Sequence, residues 1–285
     1  MKPVTVESPP DRYAVIGNPV AHSRSPAIHA AFARQTGQAV AYGTLLAPLD
    51  GFAQTVAAFR AAGGRGANVT VPFKFAAFAL ADTSSARARR AGAANTLLFV
   101  KDDAIHADNT DGVGLVADLQ AALGDLRGSR GLVVGAGGAV AGVLPSLVDA
   151  GVARLVLLNR DPAKAQVLAD AYDAEPGLAC RVGGLDASPE PVDWLLNGTS
   201  IGLTGGALPL TDAWFAQARL AYDMLYGVEP TAFLRQAAAC GVAGRDGLGM
   251  LVEQAAAAFE LWRGVRPETA TLLAALRAQL SRRLV

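Results

Sequence analysis

The stretch from Gly131 to Gly142, GLVVGAGGAVAG, constrains the fold more than any other part of this sequence. A short apolar run ends at a glycine-rich turn, Gly135–Gly138, and an alanine- and valine-rich segment follows. A strand, a glycine turn and a helix in this order form the βαβ unit that holds a dinucleotide pyrophosphate, because backbone N–H groups at the turn can approach the phosphate oxygens. The third position of the G-x-G-x-x-G/A pattern is Val140, so a glycine turn without a ligand stays open as the alternative.

Bulk properties restrict the class of protein further. The chain has 285 residues, of which 52% are hydrophobic, and this predicts one large domain or two moderate ones with a substantial core. Lys+Arg and Asp+Glu both number 25, a balance that argues against nucleic-acid binding. Cys180, Cys240 and the three histidines lack metal-ligand spacing, so we expect no metal. No apolar run fits a signal peptide or a membrane span, which predicts a cytoplasmic protein without membrane contact.

Predicted strands and helices alternate along the chain, which is typical of an α/β fold. Motifs place a domain boundary near Asp108–Gly114 and a return near Arg245–Gly249. Residues from Phe75 to Arg90 have helical composition, and the basic clusters at 87–90 and 277–283 are interpreted as solvated helix faces. A strand pair is expected around Lys101-Asp102-Asp103, and the last helix, Glu268–Arg283, is amphipathic.

Polar residues cluster in loops at the ends of predicted strands, where α/β proteins place their ligands. Five such loops are HSRS (22–25), NVTVPFK (68–74), GAANT (92–96), DNTDGVG (108–114) and DGLGMLVEQ (246–254). Ser23 and Ser25 can present two hydroxyls to a carboxylate, or they can serve only as caps; Ser25 is expected to N-cap a helix that begins at Pro26. Asn95 enters a strand, and Gln254 lies on the second turn of a helix that follows a glycine turn.

Lys74 lies on the first turn of a helix that follows a strand stopped by proline. A lysine at this place could stabilise an oxyanion or exchange a proton, although a lone lysine is more often a solvated surface group. Asn68 and Thr70 fall on one side of the preceding strand. Asp111 could pair with Lys74, could N-cap the helix that runs to about Leu123, or could do both.

The cofactor half of the chain carries its own indication of specificity. A Rossmann site for NAD usually ends its second strand with an acidic residue for the ribose 2′-OH, but here the strand is followed by Asn159 and Arg160. A guanidinium suits a 2′-phosphate by charge and geometry, and Lys164 could assist. Asp161 would repel that phosphate unless its carboxylate points away. The sequence therefore favours NADP over NAD.

Taken together, these motifs resemble the shikimate dehydrogenase family over nearly the whole chain. In family order they are GNPVAHSRSP (17–26), NVTVPFK (68–74), GAANT (92–96), DNTDGVG (108–114), GAGGAV (135–140), NR (159–160), NGTSIG (197–202), YDMLY (222–226) and DGLGMLVEQA (246–255). The family's GAGGA turn is a variant dinucleotide turn, which also accounts for Val140. Ala30 departs from the asparagine common after His29, with no evident chemical consequence.

The resemblance implies an α/β substrate domain of residues 1–110, completed by C-terminal helices in 247–285, and a Rossmann domain of residues 111–246, with a cleft between them. It also implies reversible NADPH-dependent reduction of 3-dehydroshikimate to shikimate, in the pathway to chorismate and the aromatic amino acids. Lys74 and Asp111 look like the catalytic pair. The residues that look like substrate contacts are Ser23, Ser25, Asn68, Thr70, Asn95, Tyr226 and Gln254. Those that look like cofactor contacts are Gly135, Ala136, Gly137, Gly138, Ala139, Asn159, Arg160, Lys164, Met224 and Gly247.

The sequence leaves two alternatives open. The first is a quinate/shikimate dehydrogenase that uses NAD, since Asp161 stands where NADP-dependent members often have a hydroxyl residue. Serine at position 25, where relatives that also oxidise quinate often carry threonine, favours shikimate. The second is a non-catalytic, dinucleotide-binding regulator of the same fold, against which the presence of both Lys74 and Asp111 argues. Either a monomer or a homodimer is expected.

Overall fold

The fold is described from a computed structural model, which describes residues 9–100 and 103–282. Its strands are β1 (Asp11–Gly17), β2 (Val40–Leu46), β3 (Gly64–Val69), β4 (Thr83–Ser84), β5 (Thr96–Phe99), β6 (Ile105–Asp108), β7 (Arg130–Val134), β8 (Arg154–Leu158), β9 (Ala179–Gly183), β10 (Trp194–Asn197), β11 (Leu220–Asp223) and β12 (Ala243–Asp246). Its helices are α1 (Ser25–Thr36), α2 (Phe52–Ala61), α3 (Lys74–Leu80), α4 (Ala86–Ala91), α5 (Asp111–Leu123), α6 (Gly138–Asp149), α7 (Pro162–Asp170), α8 (Ala232–Ala239), α9 (Leu248–Arg263) and α10 (Ala270–Ser281).

The first sheet is mixed and has the strand order β2-β1-β3-β5-β6-β4. β1 runs parallel to β2 and β3, whereas β5 is antiparallel to both β3 and β6. The apolar run of β1 is buried from Tyr13 onward, as expected for a strand inside a parallel group. Ile16, Val69 and Leu97 lie in a core that α2 and α3 cover. The carboxyl ends of β1 and β3 therefore meet at one edge of this sheet.

The second sheet is parallel throughout and has the order β12-β11-β10-β7-β8-β9. If β7 is numbered 1, this is the 3-2-1-4-5-6 strand order of the Rossmann fold. The order of the strands, which all run parallel, reverses between β7 and β10. Two apolar clusters cover its faces, and Trp194 and Trp214, one in each, are 0% and 1% exposed. The α/β fold with a Rossmann sheet predicted from the sequence is thus confirmed.

α5 and the C-terminal helices connect the two sheets. α5 packs against both α6 and α9, and a Cβ on Gly114 of α5 would lie 2.6 Å from the backbone nitrogen of Gln254 on α9. α9 then packs on α1, where Ile28 and Phe32 share a buried cluster with Phe259, and α10 packs on α9. The last residues of the chain that the structure describes therefore return to the first sheet.

Several local expectations need correction. The segment from Phe75 to Arg90 is not one helix: it contains α3, the short strand β4 and α4, because β4 pairs with β6 as an edge strand. Ser25 does not N-cap α1; it is the first helical residue, and Arg24 holds the cap position. Asp111 likewise begins α5 after Thr110 and is not its N-cap. Strand β12 has no counterpart among the predicted elements.

The basic cluster at 87–90 is only partly a solvated face, because Arg89 is exposed whereas Arg87 and Arg90 form ion pairs. Arg87 forms an ion pair of 2.5 Å with the buried Asp108, and Arg90 reaches across to Asp149 at 2.5 Å and Glu175 at 3.1 Å. The antiparallel pair β5–β6 confirms the expected strand pair, although Lys101 and Asp102 lie outside the described residues, as does Arg283 of the last helix. Within the described ranges, no helix has the length and apolar character needed to cross a bilayer.

Candidate active site

The centre of the site is an ion pair between the first residues of two helices. Lys74 begins α3 after the loop that follows β3, and Asp111 begins α5 after β6. Their Nζ and Oδ2 atoms are 2.5 Å apart, and the two side chains are 18% and 9% exposed. The helix N-terminus favours the carboxylate of Asp111, because the partial positive charge of the helix is located there. The predicted pairing of these two residues is therefore present in the structure.

Amide side chains fix the carboxylate of Asp111 from its other side. Asn95 donates from Nδ2 to Asp111 Oδ1 at 2.7 Å and lies 3.3 Å from Gln254 Oε1. Asn95 Oδ1 in turn accepts from the backbone nitrogen of Thr110 at 2.8 Å. These groups are nearly fully buried, so their hydrogen bonds hold Asp111, and with it the Lys74 ammonium, in one orientation.

Asn68 extends the same network toward β2. Its Nδ2 donates to the carbonyl of Asn95 at 3.3 Å and to Thr96 Oγ1 at 3.1 Å, while its Oδ1 accepts from the Tyr42 hydroxyl at 2.7 Å. Burial raises the pKa of Tyr42 well above its usual range, and the Ser25 hydroxyl acts against that rise. Tyr42 therefore links Ser25 to Asn68 as a neutral phenol.

Sequence reasoning missed Tyr42. No motif surrounds this residue, and it reaches the site only because β2 pairs with β1 in a register that no short-range pattern reveals. A signal in the sequence is the alternation of large and small residues in β2, where Val40 and Tyr42 flank Ala41. In the structure Val40 and Tyr42 are partly buried and Ala41 is exposed.

The serine loop lies beside this network. Ser25 is 7% exposed on the first turn of α1, and Ser23 Oγ accepts from its backbone nitrogen at 3.3 Å. Thr70 lies past the end of β3, where its γ-methyl would be 2.3 Å from a Cβ on Gly17. Burial raises the pKa of Tyr226, and the nearby Arg24 acts against that rise. Tyr226 therefore approaches the loop that contains the two serines.

The glycine turn forms the second half of the site. Gly135 has a φ of +117°, which requires glycine, and its nitrogen donates to the Leu158 carbonyl at 2.7 Å. Gly137 precedes α6 in extended conformation, and a Cβ there would meet nothing within 4 Å. The space beside Gly137 at the N-terminus of α6 is thus open, as an anion-binding helix N-terminus requires. A Cβ on Gly138 would lie 3.3 Å from the ring of Phe75, so the residue after Lys74 adjoins this turn.

Val140, the residue that departs from the glycine pattern, has a specific neighbour. The third glycine of the pattern allows close approach of helix and strand. Here that room comes from the opposite side, since a Cβ on Gly198 after β10 would lie 2.4 Å from Val140 Cγ2. Gly247 likewise permits a close approach of backbone, because a Cβ on Gly247 would lie 2.2 Å from the Met224 carbonyl oxygen.

The end of β8 presents cations to solvent. Arg160 and Lys164 are exposed, and among the described residues neither forms an ion pair with an acidic side chain. The carboxylate of Asp161 is turned to the N-terminus of α7, where Oδ1 accepts from the backbone nitrogen of Ala163 at 3.2 Å. Asn159 donates to the Asp161 carbonyl at 2.9 Å, which closes this turn. Because its carboxylate caps α7, Asp161 would repel a bound 2′-phosphate less than a carboxylate turned toward the phosphate.

The structure thus gathers the proposed substrate residues at the carboxyl edge of the first sheet and the proposed cofactor residues at that of the second. Lys74, Asp111, Asn95, Gln254 and Asn68 form one hydrogen-bonded group. Ala136 and Ala139 belong to the glycine turn and the first turn of α6. Phe75 joins the two sets. Such an arrangement can present a proton donor next to a reduced dinucleotide.

Comparison with known proteins identifies relatives over nearly the whole chain. Residues 15–97 match the shikimate dehydrogenase substrate binding domain, residues 118–201 the shikimate / quinate 5-dehydrogenase model, and residues 247–277 the shikimate 5′-dehydrogenase C-terminal domain. A shikimate dehydrogenase (NADP(+)) of Cupriavidus taiwanensis is 53% identical over 95% of this chain and 94% of its own.

Solved structures agree with these sequence matches. An Ael1 enzyme from Pseudomonas putida is 45% identical, covers 93% of this chain and 98% of its own, and has a TM-score of 0.86. The shikimate 5-dehydrogenase of Thermus thermophilus, solved in complex with NADP(H) and shikimate, is 37% identical over 96% of this chain and 100% of its own, with a TM-score of 0.82.

Proposed function

The chain belongs to the shikimate dehydrogenase family, and we infer that it is an NADP-dependent oxidoreductase that interconverts 3-dehydroshikimate and shikimate. This reaction is a step toward chorismate and the aromatic amino acids. The observation that supports the chemistry most directly is the Lys74–Asp111 pair beside the glycine turn. A dinucleotide-binding regulator would have no use for a proton donor held in this way.

The described residues fit NADP. Gly137 leaves open the space that a pyrophosphate would fill, and the N-terminus of α6 offers its N–H groups there. Met224 and Gly247 line the ends of β11 and β12, on the nicotinamide side in our assignment. Arg160 and Lys164 would hold the 2′-phosphate, and Asn159 would support their turn. When bound, NADPH supplies the hydride that reduces the ketone.

The proton comes from Lys74 in this proposal. As the ketone is reduced, negative charge develops on its oxygen, and the Lys74 ammonium stabilises that charge and then transfers a proton to it. Asp111 keeps the ammonium in place through the 2.5 Å contact, and Asn95 keeps Asp111 in place. In the reverse direction the neutral amine accepts the proton of the substrate hydroxyl.

The remaining polar groups would bind the substrate. Ser23 and Ser25 lie at the N-terminus of α1, where hydroxyls and the helix dipole favour a carboxylate. Asn68, Thr70, Tyr226 and Gln254 surround the ring hydroxyls in this assignment. These groups would suit a ligand that carries a carboxylate at one end and hydroxyls at the other, as shikimate does.

We assign residues 1–110 and 247–285 to the substrate domain and residues 111–246 to the cofactor domain, with the substrate in the cleft between them. The strand content supports this division, because β1–β6 form one sheet and β7–β12 the other. We also propose a cytoplasmic enzyme that is a monomer or a homodimer and binds no nucleic acid. Light scattering after gel filtration would determine the oligomeric state.

Initial rates with shikimate and quinate, each with NADP and NAD, test this function. We expect the highest kcat/KM with shikimate and NADP, because Arg160 and Lys164 are free to meet a 2′-phosphate. Equal or better rates with NAD would instead favour a quinate/shikimate dehydrogenase that uses NAD. No NADP reduction with either substrate would contradict the proposed function altogether.

A further inference from the structure

His29 lies one helical turn after Ser25 on α1 and is 0% exposed. Its ring stacks on that of Tyr42, with the centroids 4.1 Å apart and the planes 6° apart. Phe259 and Trp262 of α9 complete the surroundings at centroid distances of 6.1 and 5.5 Å. A histidine is thus enclosed among aromatic rings directly behind a tyrosine of the site.

No hydrogen bond of the described residues compensates the burial of this imidazole. Among the described residues, neither ring nitrogen of His29 has a hydrogen-bond partner. Desolvation lowers its pKa to about 3, so the ring is neutral at physiological pH and carries one N–H donor and one bare nitrogen. Leaving a buried polar group unpaired is unfavourable, and a phenylalanine would fill the same aromatic cluster without that cost. Packing alone therefore does not explain a histidine here.

The group that His29 can serve is the Tyr42–Asn68 pair. Asn68 Oδ1 accepts from the Tyr42 hydroxyl at 2.7 Å and, as an amide oxygen, has a second lone pair. The Asn68 side chain lies close enough to His29 to oppose the effect of desolvation on the imidazole. Among the described residues the His29 N–H has no acceptor, and that second lone pair is the group that can provide one.

We propose that His29 is a positioning residue for substrate binding: its ring fixes the plane of Tyr42, and its N–H donates to Asn68 Oδ1 when substrate is bound. The Tyr42 hydroxyl, the Asn68 amide and the Ser25 hydroxyl are then held in one arrangement beside the substrate. This inference rests on the proposed function, because that function assigns Asn68 and Ser25 to the substrate. It gives His29 a role through its neighbours without contact with the reacting atoms.

Two apolar variants separate the parts of this role. His29→Phe keeps the stacked ring and removes the N–H, whereas His29→Leu removes both. We expect the KM for shikimate to rise about fivefold in His29→Phe, as for the loss of one hydrogen bond, and about tenfold or more in His29→Leu. The kcat and the KM for NADP should stay within about twofold of the wild type, because Lys74 and the glycine turn are untouched.

Two further variants complete the experiment. His29→Gln retains an N–H donor and should have a KM for shikimate between those of the wild type and His29→Leu, which keeps the proposal testable if the apolar variants fold poorly. His106→Phe is the matched control, since His106 lies on β6 with its Nδ1 satisfied by Thr83 Oγ1 at 2.9 Å. The control should leave the KM for shikimate unchanged. Thermal melting of each variant reports on folding.

The results that would overturn the inference are specific. In folded variants, a KM for shikimate within about twofold of the wild type for both His29→Phe and His29→Leu would leave His29 as a packing residue. A joint rise in the KM values for shikimate and NADP with a lower melting temperature would mean general structural damage and would also refute it. If the wild type does not oxidise shikimate with NADP, the proposed function fails, and this inference fails with it.

Discussion

Replacing Lys74 tests the mechanism most directly, and Lys74→Met is the first variant. Methionine keeps most of the side-chain volume and removes the ammonium that contacts Asp111 Oδ2 at 2.5 Å. Loss of a positioned proton donor costs about 10²- to 10⁴-fold in rate, or roughly 3–5 kcal/mol of transition-state stabilisation. We expect kcat to fall by at least about a hundredfold while the KM for shikimate changes little, because the serine loop and the amides remain.

The same substitution should also lower stability. Asp111 is 9% exposed and would keep one side-chain donor, Asn95 Nδ2 at 2.7 Å, after losing Lys74. Removing one partner of such a pair should cost about 1–3 kcal/mol of the free energy of unfolding, measured in urea. Lys74→Arg separates the two effects. A guanidinium restores the ion pair but does not release its proton, so stability should recover while kcat stays about a hundredfold low.

The assay follows NADPH absorbance with saturating shikimate, together with a single-turnover measurement that isolates the chemical step. If Lys74→Arg retained more than about a tenth of the wild-type kcat, the charge of Lys74 and not its proton would carry the catalysis. If Lys74→Met retained that much, Lys74 would not belong to the mechanism. Lys164→Met, which removes a lysine from the cofactor side, should instead raise the KM for NADP.

Three further predictions concern the cofactor and the pH dependence of stability. Gly137→Ala should fold normally, because a Cβ there meets nothing within 4 Å, yet should raise the KM for NADP about tenfold or more by filling the pyrophosphate space. Arg160→Ala should raise the KM for NADP about tenfold while that for NAD stays nearly unchanged, as initial rates would show. Arg154 and Arg181 hold the pKa of Glu190 at about 2, below its ordinary 4.5. The ionised carboxylate therefore stabilises the fold above about pH 4.5, and this stabilisation is lost as the pH falls toward 2. Glu190→Gln should lower the free energy of unfolding at pH 7 by about 1 kcal/mol after solvent screening and flatten the acid limb of a stability–pH profile.

The Rossmann half was predictable because its evidence is local. An apolar strand, glycines and a helix follow one another within 131–142, and the structure forms β7, the turn and α6 from them. The residue that did not fit, Val140, could not be explained locally. Its space comes from Gly198, which lies after β10 and reaches it only because β10 pairs with β7. A short-range pattern contains no information about that pairing.

The residues around the first sheet also include some that local sequence patterns select and others that they do not. Lys74 and Asp111 each follow a strand, and Asn95 directly precedes one, so the rule that ligands lie at strand ends was enough to select them. Tyr42 lies inside a strand and His29 inside a helix, and both matter only through contacts between elements. Serine and aspartate commonly hold N-cap positions, so the sequence predicts a cap at Ser25 and leaves a cap open at Asp111 beside its pairing with Lys74. In the structure their side chains face the site network, and Arg24 and Thr110 hold the cap positions.

The position of the Lys74–Asp111 pair follows from how the two sheets are connected. Asp111 begins α5, which packs against both α6 and α9, so it lies where helices of the two sheets meet. Lys74 is followed by Phe75, which adjoins Gly138 at the start of α6. Relative motion of the sheets therefore changes the distance between Lys74 and the glycine turn. If Lys74 is the proton donor as proposed, we expect the reaction rate to depend on the arrangement of the two sheets as much as on the Lys74–Asp111 pair itself.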